Sequence, residues 1–157
     1  MLLKMYTDGA CSSNPGPGGY SAIICCKDKI IKQSGFENNT TNNRMELMGV
    51  IKGIDKVLEL IYQECLPINI IEINSDSAYV VNAINQDWIN VWKKNKFKTT
   101  QNNDVKNVDL WKALDKQIEE LDFINVKLKF VKVKGHNGNY FNEMADKIAK
   151  NEIKENK

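Results

Sequence analysis

Four acidic residues, Asp8, Glu46, Asp76 and Asp146, fall at points where a strand or helix pattern begins or ends. Carboxylates gathered at one end of a sheet repel one another unless cations neutralise them, and hard oxygen ligands with water are what Mg²⁺ prefers. Two such ions about 3.5–4 Å apart are a known device for in-line displacement at phosphorus. The chemistry implied is that of a two-metal phosphodiesterase. Taken singly, each acid reads better as a solvated surface residue or a helix cap; the joint placement of Asp8, Glu46 and Asp76 is what points to a cluster. His136 is the only histidine and lies in the polar loop Gly135-His136-Asn137-Gly138. Histidine titrates close to neutrality, which suits a proton shuttle or an aid to product release, although an isolated loop histidine is also ordinary surface chemistry.

The elements that must position these acids can be read from periodicity. Leu47, Ile51, Ile54, Leu58 and Ile61 recur at spacings of four and three, the stripe of an amphipathic helix. Thr40 or Thr41 can cap this helix, Pro67 stops it after about Glu64, and Glu46 sits one position off the stripe in its first turns. Residues 2–7 form a strand pattern ending at Asp8-Gly9, and the run Asn14-Pro15-Gly16-Pro17-Gly18-Gly19 is expected to be irregular. Residues 20–26 and 30–36 read as two strands of a hairpin turning at Lys27-Asp28-Lys29, which makes three consecutive antiparallel strands. Residues 68–73 form a buried β-branched strand ending at Asn74-Ser75-Asp76. A strand, helix and strand in succession favour a right-handed crossover with parallel strands, so Asp8 and Asp76 are expected at the same end of neighbouring strands. Helices are expected over 77–85, 108–121 and 140–154, the last bearing Asp146, with an exposed or edge strand over 126–133.

Residues 86–100 differ in character, with Trp88, Trp92 and Phe97 interleaved with Lys93, Lys94, Lys96 and Lys98. Ammonium groups that read phosphate beside aromatic faces suit a nucleic-acid backbone groove. An amphipathic helix with Trp88 and Trp92 in the core explains the same spacing equally well. Asn42 and Asn43 offer either caps or the donors and acceptors that read sugar and base edges in a minor groove. The chain has 157 residues, 42% of them hydrophobic, which suits one domain over 1–157. Its formal charge of +2 is carried mostly by lysine, since Arg44 is the sole arginine. The four cysteines, Cys11, Cys25, Cys26 and Cys65, form no C-x-x-C pair, and with one histidine a zinc site is disfavoured. Reduced thiols in a cytoplasmic protein are expected. No run of signal length or of the roughly 20 apolar residues of a membrane span is present, so secretion and membrane insertion are disfavoured.

The sequence resembles the type 1 cellular ribonuclease H family in its compact bacterial form. The matching stretches are Tyr6-Thr7-Asp8-Gly9, Asn14 to Tyr20, Thr41-Asn42-Asn43-Arg44-Met45-Glu46-Leu47, Asp76-Ser77, Trp92-Lys93-Lys94, Val105 to Trp111 and Val133-Lys134-Gly135-His136. The resemblance implies the ribonuclease H fold, an α/β architecture with a five-stranded mixed sheet (three antiparallel strands plus parallel strands) and helices on both faces. It implies endonucleolytic cutting of the RNA strand of RNA/DNA hybrids, with 5′-phosphate and 3′-hydroxyl products. By position, Asp8, Glu46, Asp76 and Asp146 match the family's ligands for two Mg²⁺ ions, for which Mn²⁺ can substitute, and His136 matches its loop histidine. Asn14, Asn42 and Asn43 match minor-groove contacts to the hybrid, Cys11 is a further hybrid-binding position, and Thr41 and Asn107 match a DNA-phosphate pocket. Trp88, Trp92, Lys93, Lys94, Lys96, Phe97 and Lys98 match a basic protrusion over about 86–100. The expected partner is the hybrid duplex, bound by a monomer with no obligate protein partner and no membrane. Ala78 stands where the family often has Gln, and Lys96-Phe97 where it often has Gly-Trp. Alternatives are a catalytically silent hybrid-binding module, from which an acid would be missing, and a DNA nuclease of the same superfold. A two-carboxylate glycosidase explains neither the other two acids nor the basic segment.

Overall fold

The computed structural model describes residues 1–134 and 139–156. Within them the chain forms β1 (Leu2–Cys11), β2 (Gly16–Cys26), β3 (Lys29–Thr40), α1 (Asn42–Glu64), β4 (Ile70–Ser75), α2 (Ala78–Asn85), α3 (Trp88–Lys94), α4 (Val108–Phe123), β5 (Lys127–Lys132) and α5 (Tyr140–Glu155). The strands make one mixed sheet in the order β3-β2-β1-β4-β5. The first three are antiparallel, and β4 runs parallel to both β1 and β5. The edge strand β5 alternates exposed Lys127, Lys129 and Lys132 with less exposed Leu128, Phe130 and Val131, as the sequence pattern predicts.

Side chains alternate between the faces of a strand, so consecutive β1 residues report on opposite layers. Met5 packs against α1, where a Cβ on Gly53 would meet its Sδ. Tyr6 stacks on Phe141 of α5 with ring centroids 5.2 Å apart. Helices α1 and α5 therefore cover opposite faces. The α1 stripe is buried as expected, with Leu47, Ile51, Ile54 and Leu58 all in the main core together with Leu3, Met5, Ile71 and Ile73. Thr41 caps the helix, its Oγ1 accepting from Arg44 N at 3.3 Å, and Cys65 ends it in the left-handed region at φ 54°.

Two expectations need correction. β1 continues to Cys11, and Gly16–Gly19 belong to β2 instead of an irregular loop, because Ala10 pairs with Gly19 and Cys11 with Gly18. A register shift between Gly16 and Gly18 absorbs the irregularity. Glycine is required at Gly19 by close approach, since a Cβ there would strike Ala149 O of α5. The β2–β3 turn is the two-residue Lys27-Asp28, with Lys27 at φ 54°, closed by the pair Cys26–Lys29. All four cysteines are free thiols. No helix among the described residues is long and apolar enough to cross a membrane.

Candidate active site

Strand register brings the first two acids together. The last parallel pair between β1 and β4 is Tyr6–Asn74, and Asp8 and Asp76 each lie two residues beyond it. Asp8 is thus not at the end of its strand, as the sequence suggests, but at the end of its pairing with β4; its antiparallel partner is Ser21 of β2. Glu46 reaches the same point because the first turns of α1 press on Gly9, where a Cβ would collide with the Met45 and Glu46 backbone. One carboxylate oxygen from each of Asp8, Glu46 and Asp76 lies within 4.8 Å of the others.

Asp8 and Glu46 are buried, at 4% and 5% exposure. The Asp8 carboxylate accepts from Gly9 N at 2.9 Å, and Glu46 Oε2 is buried with no hydrogen-bond partner. Burial, the Asp76 charge and contact with Asp146 push the Asp8 pKa up from 3.8 to about 8, against the lowering pull of the Gly9 N–H. Burial first, and then Asp8 and Asp76, raise Glu46 well above the carboxylate range. Three crowded acids, one with an orphaned oxygen, form a donor set suited to a hard divalent cation, which would relieve both the desolvation and the repulsion.

Asp146 lies outside that set of three. Its Oδ2 is 3.0 Å from Lys150 Nζ, one turn further along α5. A tie fixes the turn that carries it: Ser21 Oγ donates to Ala145 O at 2.6 Å, and Ser21 is the strand partner of Asp8. Asp146 is thereby anchored beside Asp8, close enough to raise its pKa. His136 lies outside the described residues.

Next to the acids, Asn14, Thr41, Asn42, Asn43, Lys106 and Asn107 line an open, polar pocket. Asn42 N donates to Asn14 Oδ1 at 2.8 Å, joining the β1–β2 connection to the start of α1. Asn107 adopts φ 59° at the N-terminus of α4 and donates to Tyr79 Oη at 3.1 Å, as does Trp111 Nε1 at 2.9 Å. Arg44 binds both carboxylate oxygens of Asp109, at 2.9 and 2.8 Å, and reaches Asn107 Oδ1 at 3.5 Å. The sole arginine therefore ties the helix of Glu46 to the pocket's far wall.

A family model for RNase H matches residues 2–154. The chain belongs to the ribonuclease H family. It is 49% identical over 156 residues to the ribonuclease H of Caldicellulosiruptor saccharolyticus, covering 98% of this chain and 97% of that one. With the ribonuclease H of Acetivibrio thermocellus it shares 44% over 154 residues, covering 98% and 96%. Its fold is like that of LC11-RNase H1, solved in complex with RNA/DNA hybrid, with a TM-score of 0.71 at 22% identity and 98% of each chain covered. RNase H1 from the halophilic archaeon Halobacterium salinarum NRC-1 superposes with a TM-score of 0.68 at 20% identity, covering 99% of each chain. The ribonuclease H fold expected from the motifs is therefore the fold observed.

Lys106 also lines the polar pocket, and no motif in the sequence marks it, because its nearness to Thr41 is set by the tertiary structure. The Cys11 Sγ is 2.8 Å from Ser13 O and 3.3 Å from both Gly16 O and Thr40 O. In the 86–100 segment, the Trp92 ring packs 5.2 Å from Trp111 and 6.1 Å from Trp88. Phe97 is 8% exposed, with Lys112 Nζ 5.7 Å from its ring centre. Phe97 is thus part of the core, while Trp88 and Trp92 are partly buried and pack against it. Lys94 and Lys96 are exposed, whereas Lys93 contacts Asp115 and Glu119, and Lys98 contacts Asp104.

Proposed function

We propose that the chain is an endoribonuclease that hydrolyses the RNA strand of RNA/DNA hybrids at the Asp8, Glu46 and Asp76 cluster, with Mg²⁺ as cofactor. The observation that carries this reading is the acid triad, with Asp8 and Glu46 buried, Asp76 half-buried and one Glu46 oxygen orphaned, within a family whose members bear the name of this activity. A monomer acting in the cytoplasm is part of the same proposal.

Asp8, Glu46 and Asp76 would hold the cation, and Asp146 would complete a second position at the cluster's edge. When bound, divalent ions supply a reactive water and offset the charge that develops on the scissile phosphate and its leaving oxygen. The protein's part is positioning. Asn14, Asn42 and Asn43 present amides that can donate to and accept from 2′-hydroxyls, the groups that distinguish RNA from DNA. Thr41, Lys106 and Asn107 would hold a phosphate of the other strand, fixing the duplex so that one RNA phosphate faces the acids. Cleavage on the 3′-oxygen side leaves 5′-phosphate and 3′-hydroxyl ends. His136 is proposed as a proton shuttle or an aid to product release.

A silent binding module is the second reading, and the retention of all four acids weighs against it. The test is to measure Mg²⁺ binding by calorimetry and hybrid cleavage in single turnover for Asp8→Asn, Glu46→Gln and Asp76→Asn. Each variant should bind the hybrid yet bind Mg²⁺ less tightly and cleave at least about 100-fold more slowly. Near wild-type cleavage by Asp8→Asn would overturn the assignment.

A further inference from the structure

The basic segment carries four lysines, and they do not have the same surroundings. Lys93, on α3, faces two acids of α4 that are one helical turn apart: its Nζ is 3.3 Å from Asp115 Oδ2 and also contacts Glu119 Oε1. Two carboxylates around one ammonium leave a local charge of the wrong sign for phosphate. The neighbouring residue, Trp92, packs on Trp111 of α4, so Lys93 fastens from outside the same helix contact that Trp92 fills from inside.

Lys98 is committed differently. Its Nζ is 2.6 Å from Asp104 Oδ1, and the two residues form an antiparallel bridge. Thr99 N donates to Asn103 O at 2.7 Å and Val105 N to Phe97 O at 3.0 Å, so residues 97–105 close into a small hairpin with the ion pair across its neck. Asp104 has its carboxyl held below the usual range by Lys98. Lys94 and Lys96 are exposed and, among the described residues, take part in no ion pair.

We infer that Lys93 and Lys98 are positioning residues that pin the basic segment to α4 and close its hairpin, while Lys94 and Lys96 are the lysines of this segment that meet substrate phosphates. The inference rests on the hybrid-binding reading above. A cation already neutralised by the protein releases few counterions when phosphate approaches, whereas a free one contributes about 0.9 to the slope of log affinity against log salt.

The test measures the affinity of the full chain for an RNA/DNA hybrid in EDTA between about 50 and 300 mM KCl, for Lys93→Ala, Lys94→Ala, Lys96→Ala and Lys98→Ala. Steady-state kinetics in Mg²⁺ and amide exchange across α3 and the hairpin accompany it. Lys94→Ala and Lys96→Ala should each reduce the slope by about 0.9 and leave exchange unchanged. Lys93→Ala should change the slope by less than about 0.3, raise KM with kcat unchanged and speed exchange in α3, and Lys93→Arg should restore both. Lys98→Ala should act likewise on the hairpin. If Lys93→Ala lowers the slope as much as Lys94→Ala with exchange unaltered, the division of roles is overturned. If the wild type shows no salt-dependent binding at all, the hybrid-binding reading itself fails.

Discussion

Replacing Asp8 by Asn should stabilise the metal-free protein while abolishing its activity. Asn keeps the shape and retains an oxygen to accept from Gly9 N, but removes one charge from the triad. Each tenfold change in proton affinity is worth about 1.4 kcal/mol, so a carboxyl raised from 3.8 to about 8 sets a ceiling of about 6 kcal/mol. Asp76 is only half-buried, so water screens part of the repulsion, and Glu46 and Asp76 still repel each other in the variant. We therefore expect a gain of about 1–3 kcal/mol. The sign follows from linkage: with its folded pKa raised, Asp8 is neutral in the folded protein at low pH. Its stability contribution is fully present below pH 3.8 and is lost as pH rises through about 8. Urea unfolding in EDTA should show Asp8→Asn more stable than wild type at pH 8.5 and nearly equal at pH 4. Added Mg²⁺ at pH 8.5 should stabilise the wild type and much less the variant. An equal gain at both pH values, or none at pH 8.5, would refute the claim that burial and repulsion at the triad are borne in the fold.

Three other perturbations address how the site is positioned. Gly9→Ala puts a methyl into the Met45–Glu46 backbone and should cost about 1–3 kcal/mol in urea unfolding, with a fall in kcat as Glu46 is displaced. Lys106→Ala removes a cation from the polar pocket and should raise KM several-fold, lowering the salt slope of hybrid binding by about 0.9 with kcat retained. Arg44→Lys cannot keep the two-pronged bond to Asp109 and the contact to Asn107 together. On a partly exposed pair it should cost about 0.5–1 kcal/mol, read as a two- to five-fold rise in KM.

Much of this arrangement is written locally in the chain. The Thr41 cap, the stripe from Leu47 to Leu58 and the β-branched run through Ile73 depend on neighbours a few residues away, and the structure has them where the pattern puts them. The motif around Glu46 and the acids at positions 8, 76 and 146 carried the family assignment. What the sequence does not display is set by distant partners. Gly18 and Gly19 look like loop residues until Cys11 and Ala10 pair with them. The lysines at 93 and 98 look alike until α4 and the hairpin supply Asp115, Glu119 and Asp104. Trp92 and Phe97 look like free aromatic faces until Trp111 and Lys112 pack against them. The Ser21 hydroxyl that anchors the Asp146 turn carries no motif, because it acts through the backbone of a helix 124 residues away.

The central claim is that an acid triad with divalent cation cuts RNA only when it is paired with DNA. One end-labelled sequence, presented as RNA/DNA hybrid, duplex RNA, duplex DNA and single-stranded RNA, each with Mg²⁺ and with EDTA, tests it most directly. The RNA strand should be cut in the hybrid alone, with cutting lost in EDTA and the products carrying 5′-phosphate and 3′-hydroxyl ends. Cutting of duplex DNA, or hybrid cleavage that persists in EDTA, would contradict it.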